Sequence, residues 1–185
     1  GEVRCYPPAE NVHRAGILIR SVAPAPGTDG ALGERLERAA AAVAEELGHV
    51  GVLAVEFFQA PAQDGPPRLL ANECAPRVHN TGHWTIEGSL TSQFENHLRA
   101  VLGWPLGSCA MRGGAGSHAA MVNIIGAWPD RAGLLAVPGA SVHDYEKSPK
   151  PGRKIGHVTV TAGDGETLRD RLKAAESIVA AGAGE

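Results

Sequence analysis

Two short runs of strand-forming residues, 51–58 and 68–75, each contain a single glutamate among apolar neighbours. Glu56 interrupts the first run and Glu73 interrupts the second. A turn-forming segment at 61–67 separates the runs, so the pattern predicts a β-hairpin. A charged group in a half-buried strand costs several kcal/mol unless it is paired or binds a cation. The placement of these two acids therefore constrains the fold and the chemistry together.

If the hairpin places the two glutamates across from each other, their carboxylates repel. A bound Mg²⁺ removes this repulsion and favours ionisation of both groups. Sites built from one or two carboxylates plus phosphate oxygens are typical of nucleotide enzymes. The alternative is that Glu56 and Glu73 simply face solvent on an exposed side of the sheet.

The composition excludes several classes of protein. The net charge is −3 and no run of Lys and Arg occurs, so a nucleic-acid partner is not expected. No apolar stretch approaches the roughly 20 residues of a membrane helix. The three cysteines are widely separated, which predicts reduced thiols and a cytoplasmic protein. Residues 1–6 lack an initiator Met and a signal segment, so we expect the chain to start inside a larger protein.

Periodicity and breaker residues give a coarse order of elements. Strands are predicted at 3–6, 12–22, 51–58, 68–75, 119–125, 140–145 and 154–160, and helices at 31–47, 85–104 and 167–179. The order is ββαββα followed by a smaller β-rich unit with a closing helix. We therefore expect an α+β fold with one domain at 1–107 and a second at 108–185.

The densest polar cluster, residues 76–85, follows the second glutamate directly. Arg77 offers a guanidinium for anions, His79 and His83 offer imidazoles for hydrogen bonds or proton transfer, and Asn80 offers an amide that can fix orientation. The two histidines would also suit a transition metal if the segment were helical. The alternative is a surface loop that ends in a helix cap.

A second polar cluster lies late in the chain. Within a Pro- and Gly-rich loop it carries four cations, Lys147, Lys150, Arg153 and Lys154. Such a loop suits a phosphate group. An ordinary solvated basic turn is the alternative.

Residues 72–85 resemble the signature of the N5-carboxyaminoimidazole ribonucleotide synthases, which are ATP-grasp ligases of purine biosynthesis. Further segments match that family in the same order, at 10–18, 51–58, 92–100 and 151–157. The resemblance therefore spans nearly the whole chain. It is specific, because related carboxylating and formylating ATP-grasp enzymes lack the run His79-Asn80-Thr81-Gly82-His83.

The resemblance implies the C-terminal subdomain of an ATP-grasp fold, followed by a small β-rich domain with a closing helix. It implies an ATP-dependent carbon–nitrogen ligase that joins bicarbonate to the exocyclic amine of 5-aminoimidazole ribonucleotide. ATP first phosphorylates bicarbonate to carboxyphosphate, and the products include ADP and phosphate. ATP and Mg²⁺, or Mn²⁺ in its place, are the implied cofactors.

The resemblance also assigns roles to individual residues. Glu56 and Glu73 match the metal-binding carboxylates, and Asn72 joins them in binding the nucleotide. In the loop that faces bicarbonate and the aminoimidazole, the matching residues of this chain are Arg77, His79 and Asn80. In the region that holds the 5′-phosphate of the ribonucleotide, the matching residues of this chain are Lys147, Arg153 and Lys154.

Family members carry a dinucleotide-fold-like domain and a nucleotide lid before the point that matches Gly1. We therefore expect this chain to be the C-terminal half of such an enzyme, with the N-terminal half as its partner and a homodimer as its assembly. A second hypothesis is a non-catalytic half-domain that serves assembly or ligand sensing. A third is a metallohydrolase that uses His79, His83 and Glu73 to bind zinc.

Overall fold

The computed structural model describes residues 1–62, 64 and 67–182. The strands are β1 (Glu10–Arg14), β2 (Ile17–Ala23), β3 (Ala54–Ala60), β4 (Arg68–Ala75), β5 (His118–Ile125), β6 (Ala140–Asp144) and β7 (Lys154–Ala162). The α-helices are α1 (Ala31–Glu46), α2 (Thr85–Gly88), α3 (Gln93–Val101), α4 (Arg131–Ala136) and α5 (Gly165–Gly182). A single 3-10 turn, Asn80–Gly82, precedes α2. The predicted loop at 61–67 lies partly outside the described residues.

Five strands form one antiparallel sheet in the order β1-β2-β5-β7-β6. Its central strand β5 is buried on both faces, which explains its nearly continuous apolar sequence. On one face, Val122 and Ile124 pack with Val158 and with Leu168 of α5 to form the larger core. The apolar side of α5 and the inward-facing side chains of the strands therefore pack in one apolar layer.

The opposite face of the sheet packs against the segment that contains α2. Met121 and Leu18 lie there with Trp84, which is 2% exposed. A row of polar residues continues this face, because Asn123 is directly opposite His157, and His157 is directly opposite His143. Buried polar side chains require hydrogen-bond partners, so this row predicts a network of such bonds above the sheet.

The strands β3 and β4 form a separate antiparallel hairpin. Ala54 pairs with Ala75, and the pairing continues to Ala60 opposite Arg68. One irregularity follows Glu56, where β4 carries an extra residue. The hairpin predicted from the sequence is therefore confirmed.

The predicted first and second strands require correction. Residues 3–6 form no strand. The single strand predicted at 12–22 is two strands, β1 and β2, joined by a tight turn at Ala15 and Gly16. Both turn residues have positive φ, which matches the twist of two-residue hairpin turns. The sequence pattern did not predict this turn, because Ala15 is not a typical residue for its first position.

The helix predicted at 85–104 is also wrong, since it consists of α2 and α3 with an extended segment between them. Ser89 forms an isolated bridge with Met111, and the neighbouring backbone bonds to residues 108 and 110. Ser92 then caps α3 by accepting a hydrogen bond from the backbone N–H of Glu95, at 3.2 Å. Pairing with a distant segment breaks the helix, and a periodicity count cannot detect such pairing.

The α+β expectation is confirmed, because the described helices accompany sheets whose strands pair antiparallel. The short helix α4 was not predicted; Asp130 caps it by accepting a hydrogen bond from the backbone N–H of Ala132. The five-stranded sheet takes strands from both sides of residue 107, and the domain division at 1–107 and 108–185 stays a prediction. In the described part of the chain, no helix has the length and apolar character needed to cross a bilayer.

Two adjacent leucines of α4 test the position of the core. Leu134 is fully buried, whereas Leu135 is 62% exposed. Leu134→Ala is expected to lower the free energy of unfolding by about 2–5 kcal/mol, because it leaves a cavity. Leu135→Ala is expected to change it by no more than about 0.5 kcal/mol. Urea unfolding of both variants measures the difference, and equal losses would contradict the described core.

Candidate active site

The two glutamates predicted from the sequence meet across the hairpin. Glu56 of β3 is directly opposite Glu73 of β4, so the side chains share one face of the sheet. Directly opposed residues have Cβ atoms about 4.5–5.5 Å apart. The extra residue in β4 is Asn72, whose side-chain amide donates to Glu56 Oε2 at 3.3 Å. Bulges of this kind often redirect side chains beside active sites.

A cavity of about 330 Å³ lies between the hairpin and the five-stranded sheet. Six of the residues singled out from the sequence line it: Glu56, Glu73, Arg77, His79, Asn80 and Lys154. The hairpin β1–β2 adds His13, Gly16 and Leu18, which the sequence reasoning did not single out. Acidic and basic groups from distant parts of the chain therefore surround one open space.

The main chain of the polar loop at 76–84 is held by a buried side chain, Gln93 at the start of α3. Its Oε1 accepts from the backbone N–H of His79 at 2.9 Å, and its Nε2 donates to the His79 carbonyl at 2.7 Å. The same Nε2 lies 2.9 Å from Nδ1 of His83. A Cβ at Gly82 would lie 2.7 Å from Gln93 Oε1, so a side chain there would push the Gln93 amide away from these hydrogen bonds. These contacts fix the main chain of the loop.

His79 points its ring toward the carboxylates. Its Nε2 is 3.6 Å from Glu73 Oε1, and its Nδ1 is 2.9 Å from Thr81 Oγ1. Burial lowers the pKa of His79, although Glu56 and Glu73 act in the opposite direction. The imidazole is therefore neutral at neutral pH and has one nitrogen directed into the site.

The three cations expected to hold phosphate are not equivalent. Lys154 lines the cavity, and its Nζ donates to Asn80 Oδ1 at 2.9 Å. Burial lowers the pKa of Lys154, and the nearby Glu56 and Glu73 oppose that effect. Lys147 and Arg153 are exposed and outside the cavity lining; Lys147 sits 5.3 Å from the ring of Tyr145. Their assignment to phosphate binding stays a prediction.

The donors around the cavity fit Mg²⁺ better than zinc. The acidic donors are the two carboxylates, and hard oxygen ligands of this kind suit Mg²⁺ with phosphate oxygens completing the shell. Asn72 bonds to Glu56 but is exposed and lies outside the cavity lining. Among the described residues, no group of three or more His, Cys, Asp and Glu side chains could hold a metal ion. His83 is turned toward Gln93, which leaves the zinc-hydrolase hypothesis without its ligand set.

Comparison with known proteins gives two matches along the chain. Residues 1–94 match the ATP-grasp domain, and residues 119–171 match the phosphoribosylaminoimidazole carboxylase C-terminal domain. The first match spans half of the 185 residues. The chain belongs to the ATP-grasp family. The expected architecture of an ATP-grasp subdomain followed by a C-terminal domain with a closing helix, here α5, is confirmed.

Individual relatives carry the name given by the sequence resemblance. The N5-carboxyaminoimidazole ribonucleotide synthase of Pseudomonas aeruginosa is 49% identical over 98% of this chain, which covers 47% of that protein. The N5-carboxyaminoimidazole ribonucleotide synthetase of Thermus thermophilus is 53% identical, with a TM-score of 0.88 over 96% of this chain and 47% of that one. This ATP-grasp chain thus spans about half the length of the relatives it matches.

A third relative has been solved with ligands. The N5-carboxyaminoimidazole synthase of Aspergillus clavatus, in complex with ADP and 5-aminoimidazole ribonucleotide, is 35% identical. Its TM-score is 0.85, and the match covers 95% of this chain and 47% of that one. The resemblance identified from the sequence is therefore confirmed by sequence and by structure.

Sequence reasoning missed the residues that hold the site together. Gln93, Asn123 and His157 are each no more than 2% exposed, and all three bond to residues of the site or its supports. A polar residue inside an apolar strand was the available signal for Asn123, as it was for the two glutamates. For Gln93, the wrongly predicted continuous helix concealed the signal.

A half-buried histidine, His83, and a buried one, His157, give a testable pH dependence beside the site. Burial lowers the pKa of His83 to about 4 and that of His157 to about 3, and neighbouring imidazoles act in the same direction. Unfolded histidine has a pKa of about 6.5. Below that pH the unfolded chain binds protons that the folded chain does not, so stability falls as the pH falls.

Urea unfolding between pH 7 and 5 is expected to show this loss, with each histidine adding up to about 1.4 kcal/mol per pH unit. His157→Gln is expected to make the slope shallower. His13→Gln is the control, because His13 is exposed. Identical slopes in the two variants would show that the buried ring does not resist protonation.

Proposed function

We propose that the native polypeptide carrying this chain is an ATP-dependent carbon–nitrogen ligase. It joins bicarbonate to the exocyclic amine of 5-aminoimidazole ribonucleotide, with ADP and phosphate as further products. The observation that carries the proposal is the pair Glu56 and Glu73, opposed across a hairpin in a cavity that Arg77, His79 and Lys154 also line. The names of the P. aeruginosa and A. clavatus relatives support the choice of substrates.

The proposed reaction has two steps. The γ-phosphoryl group of ATP passes to a bicarbonate oxygen, so ADP leaves and carboxyphosphate forms. The amine nitrogen then forms a bond to the carboxyl carbon, phosphate leaves, and the amine loses a proton. Such phosphoryl transfer depends chiefly on positioning and on neutralising charge.

Glu56, Glu73 and the side-chain oxygen of Asn72 are the proposed groups for the nucleotide and its metal. Mg²⁺, or Mn²⁺ in its place, would neutralise charge on the transferred phosphoryl group. The protein supplies the fixed register of the hairpin, which keeps both carboxylates on one side. Without a cation the two like charges would repel each other across the hairpin.

Arg77 and His79 are proposed to act on bicarbonate and the amine. The Arg77 guanidinium lies 4.0 Å from Glu73 Oε1 and is exposed, so it remains available to an anion. If Nδ1 of His79 donates to Thr81 Oγ1, its Nε2 is an acceptor that faces the cavity. The neutral imidazole can then take the proton that the amine loses.

Lys154, together with Lys147 and Arg153, is proposed to hold the 5′-phosphate of the ribonucleotide, and among these three only Lys154 lines the cavity. Its ammonium group is half-buried and already oriented by Asn80. An oriented, partly desolvated cation binds phosphate more strongly than a freely moving one. Asn80 is proposed to contact the aminoimidazole part of the same substrate.

We further propose that an N-terminal half of the same enzyme supplies the nucleotide lid, that the enzyme is a homodimer, and that it works in the cytoplasm. Exposed apolar side chains on and after α3 support a covering partner: Leu98, Val101, Leu102 and Trp104. Such a patch is typical of interaction surfaces. The relatives are about twice as long as the matched segment, which supports the N-terminal half.

The alternative function, a non-catalytic half-domain for assembly or ligand sensing, gives a different result in one assay. The proposed ligase converts 5-aminoimidazole ribonucleotide, bicarbonate and ATP to the carboxylated product with release of ADP. A sensing module would bind ligand without releasing ADP. Coupled detection of ADP with the native polypeptide separates the two functions.

Glu73→Gln tests the carboxylate pair. The change removes one charge and keeps the shape, so turnover is expected to fall by at least about 100-fold, since the metal loses a ligand. Glu95→Gln is the control, because Glu95 is an exposed residue of α3 that pairs with Arg99. ADP release with saturating substrates measures the effect. Normal turnover in Glu73→Gln would refute the metal assignment.

Lys154→Met tests the phosphate assignment. We expect KM for the ribonucleotide to rise by about 10-fold or more and KM for ATP to stay within about twofold, because a charge-assisted contact of about 1.5–3 kcal/mol is lost. Lys173→Met, on the exposed side of α5, is the control. A larger effect on KM for ATP would place the ribonucleotide phosphate elsewhere.

A further inference from the structure

The buried amide of Asn123 is unusual for its position. It lies in β5, a strand that is otherwise apolar and buried, and it is 2% exposed. It faces the same side of the sheet as Met121 and Trp84. An amide left without partners there would be unfavourable, so its hydrogen bonds explain why the position tolerates it.

Asn123 and Asn80 form a reciprocal pair of hydrogen bonds. Asn123 Nδ2 donates to Asn80 Oδ1 at 2.7 Å, and Asn80 Nδ2 donates to Asn123 Oδ1 at 3.1 Å. The two residues are 43 positions apart in the sequence. The pair connects the 3-10 turn of the polar loop to the middle of the five-stranded sheet.

Groups at both ends of the pair fix the orientation of the amides. The Leu18 carbonyl can only accept, and it receives a bond from Asn123 Nδ2 at 2.9 Å. The Lys154 ammonium can only donate, and it bonds to Asn80 Oδ1 at 2.9 Å. These two bonds require one orientation of the amide pair. A flip of Asn123 would turn its Oδ1 toward the Leu18 carbonyl, and a flip of Asn80 would turn its Nδ2 toward the Lys154 ammonium.

A third contact supports the same orientation. Asn80 Nδ2 is 3.5 Å from the hydroxyl of Tyr145, which lies 2.8 Å from Nδ1 of His157. When the Tyr145 hydroxyl accepts a hydrogen bond from Asn80, it can donate its own proton to Nδ1 of His157. His157 is directly opposite Asn123 on the neighbouring strand, so the network closes on the sheet.

We infer that Asn123 is a positioning residue for the ligase site: it holds Asn80 so that the Asn80 side-chain oxygen orients Lys154 in the cavity. Asn123 does not line the cavity, so it acts through Asn80. The inference rests on the proposed function for its catalytic consequence. Its structural part, the fixed Asn80 amide, is independent of any substrate.

Kinetics of Asn123→Ala in the native polypeptide test the consequence. We expect KM for the ribonucleotide to rise at least about tenfold, because misplaced binding groups weaken a substrate contact, while KM for ATP stays within about twofold. Asn96→Ala is the matched control: Asn96 is also buried and bonds to Tyr6 and Gly107, outside the site. Loss of folded protein lowers turnover but cannot raise KM, so unchanged KM values in Asn123→Ala would overturn the inference.

NMR of the native polypeptide labelled with ¹⁵N-asparagine tests the structural part without substrate. The Asn80 side-chain amide is expected to exchange slowly with solvent, to lose this protection in Asn123→Ser and to keep it in Asn96→Ala. The serine variant serves if Asn123→Ala does not fold. A rapidly exchanging Asn80 amide in the unsubstituted protein would overturn the inference. Absence of carboxylation by that protein would instead refute the proposed function, and the NMR result would stand.

Discussion

Hydrogen bonds from two buried amides hold the polar loop that follows the hairpin, and the geometry of the site depends on them. Gln93 binds both backbone groups of His79, and Asn123 binds the side chain of Asn80. Each amide is buried, so breaking its bonds would leave polar atoms unpaired away from water. The loop is therefore held from two directions by elements distant in sequence, and it brings Arg77 to the carboxylates as a consequence.

The electrostatics of the cavity follow from this arrangement. Two opposed carboxylates favour cations, while burial disfavours charge on His79 and Lys154. The site thus contains a neutral imidazole, a destabilised ammonium group and an acidic pair within one space of about 330 Å³. The proposed ligand, a nucleotide with its divalent cation, would supply a cation for the carboxylates and phosphate oxygens for the ammonium group. Membership of the ATP-grasp family agrees with this reading.

Much of the fold was predictable because it depends on local pattern. Local sequence patterns that match their burial predicted three parts of the fold. These are the helix starting at Ala31, the hairpin around Glu56 and Glu73, and the strands β5 to β7. The missed break in the helix at 85–104 arose from a distant contact, and the missed reversal at 15–16 from an untypical turn residue. Ser89 leaves the helical path because it pairs with Met111, and the reversal at Ala15 has no typical turn residue before its glycine. Single-segment patterns carry no information on such pairings.

The sequence by itself identified most of the charged and polar groups that line the cavity, since Glu56, Glu73 and the loop at 76–84 stand out from their apolar or extended surroundings. Only the tertiary structure decided which of the late cations enters the cavity. Lys154 is the first residue of β7, a buried strand, and is itself half-buried. Arg153, one residue earlier, is exposed. The tertiary structure also decided that Asn123 supports Asn80, because an amide pair across 43 residues forms only when the sheet and the loop are packed together.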